Sequence, residues 1–241
     1  MTGMMQKKFF YGWVIVGVST LALVVSNGLS IGGLPVFYKP LIEDLVANGG
    51  VAGDKSQSMM GGAAGLTFLF AGFFAPVAGY LLTKISIKIM MCIGCVILGG
   101  ALIIYSQSNS AGFVYLAHSL LGTSLGFVGV LVNTVLISNW FRRNRGLAMG
   151  IVLTGTSFGG VVIPQIATPL IAAYGWRTAM ISVSLLVWVV LLPAAVFLVR
   201  SRPSDMGLFP DGDASAPVDA DNKPMDLTGL TLREPASIRL Q

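Results

Sequence analysis

The stretch NWFRRNRGLAMG, residues 139–150, puts Arg142, Arg143 and Arg145 close together in a chain of which only 10% is charged. A basic cluster of this kind is a common mark of a nucleic-acid patch or a localisation signal. Its flanks point elsewhere. Residues 111–137 before it and 146–174 after it contain no Asp, Glu, Lys or Arg, so the cluster is a charged loop joining two long apolar segments.

The rest of the chain follows the same plan. Hydrophobic residues make up 54% of it and there are 30 glycines; mean hydropathy is +0.80. A soluble domain carries about 25% charged residues, so this chain has too little polar surface to cover itself in water. Six apolar segments with charge-free cores predict transmembrane helices over about 12–37, 59–82, 87–107, 111–137, 146–174 and 177–199. Each can cross a hydrocarbon core of roughly 30 Å at 1.5 Å per residue. Barrel strands alternate over about ten residues, whereas these runs are continuously apolar. The first is too long for the core of a cleaved signal peptide and is read as a retained helix. The expected fold class is an all-α membrane protein, a six-helix bundle over 1–202 with a tail over 203–241.

Loop charges orient the bundle. With a cytoplasmic amino terminus, the inner segments hold Lys7, Lys8, Lys84, Lys88, Arg142, Arg143, Arg145, Arg200 and Arg202, and the outer ones only Lys39, Lys55 and Arg177. That bias follows the positive-inside rule. The arginine cluster is then an inner loop that touches anionic lipid headgroups, and the pI near 9.4 requires no nucleic acid.

Helix 4 contains GTSLGFVG and helix 5 GTSFGG. Small residues at spacings of three or four let helix backbones approach closely in lipid. Pro76, Pro164, Pro169 and Pro193 interrupt helices 2, 5 and 6, which a membrane tolerates where neighbours re-satisfy the freed backbone groups. Gly72 and Pro76 in helix 2 match Gly160 and Pro164 in helix 5, a faint sign of repeated three-helix units.

The loops resemble those of a known family. WFRRNRGLAMGIVLTGTSFGG, from Trp140 to Gly160, is similar to the signature that opens helix 5 in the monocarboxylate porters and the oxalate/formate-type antiporters of the major facilitator superfamily. YGW at 11–13 resembles the opening of helix 1 in bacterial members. GYLLTKISIK, including Gly79, Lys84 and Lys88, resembles the superfamily's helix 2–3 loop. YGWR, with Gly175, Trp176 and Arg177, looks like the link into helix 6, and RSRPSDMGLFPDG at 200–212 like its exit. Thr83 and Ser86 stand where the helix 2–3 motif usually has an acid and a glycine, and His118 where helix 4 often has arginine. Gly150 and Gly155 belong to the helix 5 signature.

The resemblance implies one half of a 3+3 inverted-repeat fold, no cofactor, and transport of a small organic anion by alternating access, with protons as a candidate coupling ion. It also implies the plasma membrane, a bacterial inner membrane, with both termini cytoplasmic. Members have two six-helix halves, so residues 203–241 read as a disordered cytoplasmic linker. TLRE at 231–234 has a helix-capping pattern that ends too early to form a helix. The expectation is an amino-terminal half, a fragment or frameshift product, which needs its carboxy-terminal half. The alternative is a half-size protein that pairs with a second copy or a partner and does not transport alone.

Five intramembrane polar residues are substrate or coupling candidates: Asn27, His118, Asn133, Thr154 and Gln165. His118, the single histidine, titrates near neutrality when unperturbed and lies roughly 10 Å into helix 4; an interhelical hydrogen bond is the competing role. The other four could equally tie helices together. Cys92 and Cys95 form a CxxC inside apolar helix 3, without a second ligand pair, which argues against zinc or redox chemistry. With no acid in any helix core, neither a catalytic triad nor a metal site assembles in the membrane. The chain is expected not to be an enzyme.

Overall fold

The structure, a computed structural model, describes residues 10–213. Its regular structure is entirely helical, with no strand among the described residues. Lipid offers no water to backbone N–H and C=O groups, and a helix satisfies them within the segment. Five helices are long and apolar enough to cross a membrane: Gly12–Gly32, Gly53–Leu81, Ile87–Ser106, Ala111–Trp140 and Arg145–Phe197. The last has 53 residues, about 80 Å of helix at 1.5 Å per residue. It is not one rod. Gly175 has φ 79° and ψ 161° inside it, a conformation open to glycine and closed to most other residues.

In chain order the α-helices are α1 (Gly12–Asn27), α2 (Tyr38–Ala47), α3 (Ser56–Leu81), α4 (Ile87–Ser106), α5 (Ala111–Val128), α6 (Val130–Trp140), α7 (Arg145–Leu185) and α8 (Leu192–Phe197). Several differ from the sequence reading. The single helix expected over 12–37 is α1 followed by a π turn, Gly28–Gly32, and a 3-10 turn, Leu34–Phe37. The Gly33 N–H reaches back five residues to the Gly28 carbonyl, at 2.7 Å, and Pro35 then opens the 3-10 turn. α2, which loop composition did not announce, follows directly. The helix expected over 111–137 is broken at Gly129 (φ −79°, ψ −157°) into α5 and α6, and α6 runs on to Trp140. Ser86, a departure from the loop motif, caps α4 by accepting the Ile89 N–H at 3.4 Å.

The principal helix contacts pair α1 with α7, α3 with α5, α4 with α5, and α4 with α7. One buried cluster joins them, with Trp140, Tyr105, Phe37 and Phe141 its largest enclosed side chains. α3 contributes little to it and presents Phe68, Leu69, Phe73 and Tyr80 outward. One end of the bundle is marked by Tyr11, Trp140 and Arg200, and the other by Asp44, Asn109 and Arg177.

The first part of the linker expected over 203–241 is folded onto the bundle. Residues 203–213 form two 3-10 turns, Pro203–Met206 and Pro210–Gly212, and Pro203 and Pro210 are buried. They fold because backbone and carboxylate groups at the Tyr11 end hold them, as described below. Residues 214–241, with the TLRE pattern, lie outside the described residues.

Candidate functional site

The α1–α7 interface is built on glycine. A Cβ at Gly155 would stand 2.5 Å from the Thr20 carbonyl oxygen, and one at Gly159 would strike the Val24 carbonyl and lie 2.8 Å from the Gly28 Cα. A Cβ on Gly32 would stand 2.7 Å from the Gly160 Cα. The two backbones therefore meet directly, as the GTSFGG pattern predicts. Gly79 and Gly150 have open space where a Cβ would go, and nothing in the structure explains those two glycines.

Three of the five polar candidates lie inside the bundle. Asn27, just before the π turn, is buried, and its amide nitrogen has no partner among the described residues. Asn133 is fully buried and repairs the break at Gly129: its Nδ2 donates to the Val128 carbonyl at 2.8 Å and to the Gly129 carbonyl at 2.9 Å. His118 is enclosed between α5 and α3. Its Nδ1 lies 2.8 Å from Thr67 Oγ1, and that oxygen lies 3.3 Å from the His118 carbonyl. Both bonds form together when Nδ1–H donates to Oγ1 and the hydroxyl donates to the carbonyl. The ring packs beside Tyr105 and Tyr38, at 5.4 and 6.2 Å between centroids. His118 Nε2 and the Tyr105 hydroxyl are buried without a partner among the described residues.

Thr154 and Gln165 are exposed on α7. Eleven residues apart, about three turns, they share one face, opposite the stripe Val152, Gly155, Gly159 and Ile163 that packs inward. The Thr154 hydroxyl donates to the Ile151 carbonyl at 2.6 Å. No hydrogen bond joins any two of the five candidates among the described residues, so they do not form one cluster.

The basic motif residues sit at the ends. Arg142 and Arg143 donate backbone N–H groups to Asp211 Oδ2, each at 2.8 Å, and Asn144 donates to Oδ1 at 3.3 Å. Arg143 also pairs with Asp213 at 2.6 Å. Arg145 is the first residue of α7. Lys84 lies over the Tyr80 ring at 5.9 Å, and the Lys88 N–H reaches Ser201 Oγ at 3.4 Å. Trp140 Nε1 donates to the Arg200 carbonyl at 2.9 Å, and Asn139 Nδ2 to that of Ser201 at 3.0 Å.

At the opposite end Arg177 joins three segments. It donates to Asp44 Oδ2 at 2.6 Å, to the Ser106 and Ser108 carbonyls at 3.1 and 3.2 Å, and to Asn109 Oδ1 at 3.0 Å. Its guanidinium stacks 4.4 Å from the Trp176 ring. Asp44, Asp211, Thr67 and Tyr105 carry much of this geometry, and sequence reading passed over all four. The GLFPDG segment held the one available signal, since it marked a family motif around Asp211.

Comparison with known proteins agrees with this architecture. Residues 10–236 match the model of the Major Facilitator Superfamily, and the chain belongs to that family of multi-pass membrane transporters, which are not enzymes. It is 31% identical over 156 residues to the probable transporter MCH2 of Saccharomyces cerevisiae, covering 63% of this chain and 31% of that protein. It is 30% identical over 131 residues to the riboflavin transporter RibJ of Trypanosoma brucei brucei, covering 54% and 24%. It is 25% identical over 176 residues to monocarboxylate transporter 13 of Bos taurus, covering 73% and 39%. The match thus spans less than half the length of each of these relatives.

Proposed function

We propose that this chain forms the amino-terminal six-span body of a secondary transporter that moves a small organic anion, such as a monocarboxylate, across the plasma membrane. Family membership with monocarboxylate transporters among the relatives is the observation that supports this substrate class. The Gly175 break divides the longest apolar helix into two spans, one from Arg145 to Tyr174 and one from Trp176, which supports six crossings. The bias of basic residues toward the Tyr11 end supports a cytoplasmic amino terminus.

The packing supports a division of labour. No ionised side chain lies within the span cores, so a counter-charge for an anion has to come from a second six-helix body, on a longer chain or on another copy. Alternating access then rocks the two bodies about a mid-membrane site. Of the five candidates, we assign Thr154 and Gln165 to the translocation surface because α7 turns them outward. Asn133 and His118 hold this body together through their hydrogen bonds, and Asn27 lies buried within it.

The riboflavin relative supports a second reading, a larger and mostly neutral substrate. Uptake by the complete gene product in liposomes separates them, using radiolabelled pyruvate under an inward proton gradient, pyruvate-loaded liposomes for exchange, and riboflavin in parallel. Pyruvate flux above that of empty liposomes supports the first reading. Riboflavin flux alone supports the second. Neither flux, with the protein inserted, supports a membrane protein that does not transport alone.

A further inference from the structure

At the Tyr11 end, three loop N–H groups converge on one carboxylate. The N–H groups of Arg142, Arg143 and Asn144 point at Asp211 directly before α7 begins, and successive N–H groups of this kind form an anion-binding nest. The carboxylate that fills it comes from the segment after α8, 67 to 69 positions away along the chain. To deliver it, Asp211 takes φ 58°, the one positive φ outside glycine among the described residues. Such a conformation persists where the surroundings over-determine it, and it gathers at switches and clamps.

We propose that residues 203–213 are a latch for the transport cycle, with Asp211 as its positioning residue. Resting on the transporter reading, it holds the α6–α7 loop in register with the exit of α8, so that the Tyr11 end moves as one piece. The ties fall into two sets. Trp140 and Asn139 bond to the Arg200 and Ser201 carbonyls from partly buried positions, which anchors the root of the strap. The bonds at Asp211 and the Arg143–Asp213 pair are exposed to solvent, where water and salt compete with them. The tip therefore releases while the root stays. Gly212, at φ 75° and against the Phe10 ring, ties the same tip to the start of α1. When Asp211 leaves the nest, the first turn of α7 loses its tether to both α8 and α1.

Asp211→Gly is the informative change. Glycine accepts φ 58° without strain, and Asp211→Asn, which also tolerates positive φ and removes only the charge, shows how much of the D211G effect comes from the backbone freedom that glycine adds. Asp213→Asn, which removes the Arg143 pair and leaves the nest filled, is the companion. Spin labels at the exposed residues Arg145 and Met206, in a background lacking Cys92 and Cys95, measure the gap between the first turn of α7 and the strap in the full chain in nanodiscs. The expected result is one narrow distance in the parent, a distribution at least twice as broad in D211G, and an intermediate width in D213N that broadens in high salt. In liposomes D211G lowers pyruvate turnover about fivefold with KM within twofold. A broad parent distance, or a D211G distance as narrow as the parent, overturns the latch. A broadened distance with unchanged turnover overturns its role in transport. A parent that carries neither pyruvate nor riboflavin but shows the narrow distance defeats the transport reading and leaves the latch standing.

Discussion

Arg177 Nη2 lies 2.6 Å from Asp44 Oδ2, and the two residues are 133 positions apart. One guanidinium fork joins α2, the Ser106–Asn109 turn and the start of the segment after Gly175. About a third of each side chain remains exposed, so solvent screens the pair, and charge attraction alone adds about 1 kcal/mol or less. The carbonyls of Ser106 and Ser108 give Arg177 further bonds that a point charge cannot reproduce. Arg177→Lys should therefore lower the melting temperature in detergent by several degrees, and Asp44→Asn by less, because it leaves the carbonyl bonds in place. Equal losses in the two variants would mean that the ion pair, and not the fork, holds this end.

Glycine at the α1–α7 seam is a packing requirement. A methyl group at Gly159 meets the Val24 carbonyl and the Gly28 backbone, and neither can rotate aside. Gly159→Ala should cost about 1–3 kcal/mol, the usual range for overpacking, and Gly155→Ala a similar amount. Gly150→Ala adds a methyl to open space on an exposed helix and should leave stability unchanged or slightly raised. Thermal unfolding of the three variants in one detergent decides the point.

His118 is held as a structural partner of Thr67. Their 2.8 Å contact couples α5 to α3, so Thr67→Val and His118→Gln should be non-additive. The double-mutant cycle should return a coupling of about 0.6 to 1.7 kcal/mol, the range measured for hydrogen bonds between helices in membranes. Uptake by the His118→Gln variant should keep the parent's dependence on pH. A flattened pH profile would instead make His118 part of proton coupling.

The sequence made the class of fold plain because lipid imposes a long-range rule on composition: charge-free runs, basic loops on one side and small residues in GTSFGG all have one reading. Where it fell short, the cause was local geometry or distant pairing. The π turn at Gly28–Gly32 and the break at Gly129 keep the apolar pattern intact, so hydropathy passes over them. Asn133 reads as a possible cavity residue and turns out to brace this break, its amide donating to the Val128 and Gly129 carbonyls on either side of it. Arg177 and Asp44, or Asp211 and the α6–α7 loop, are joined only by the fold. Burial also inverted a simple rule, since the most polar-looking positions of the span interiors, His118 and Asn133, are among the most enclosed.

Thr154 and Gln165 provide the test of where substrate passes. Both point outward from α7, away from the glycine seam, and truncating either removes no packing within this body. Each should therefore leave the melting temperature within about a degree of the parent. If the α7 face borders the substrate, Gln165→Ala loses one hydrogen bond worth about 1 kcal/mol, a rise in KM of roughly fivefold with turnover little changed. Thr154→Val should have a smaller effect, because its hydroxyl already donates to the Ile151 carbonyl and offers substrate only an acceptor. Asn133→Ala should do the reverse, lowering stability and sparing KM. An unchanged KM in both α7 variants would assign that face to lipid and move the substrate surface to the exposed side of α3.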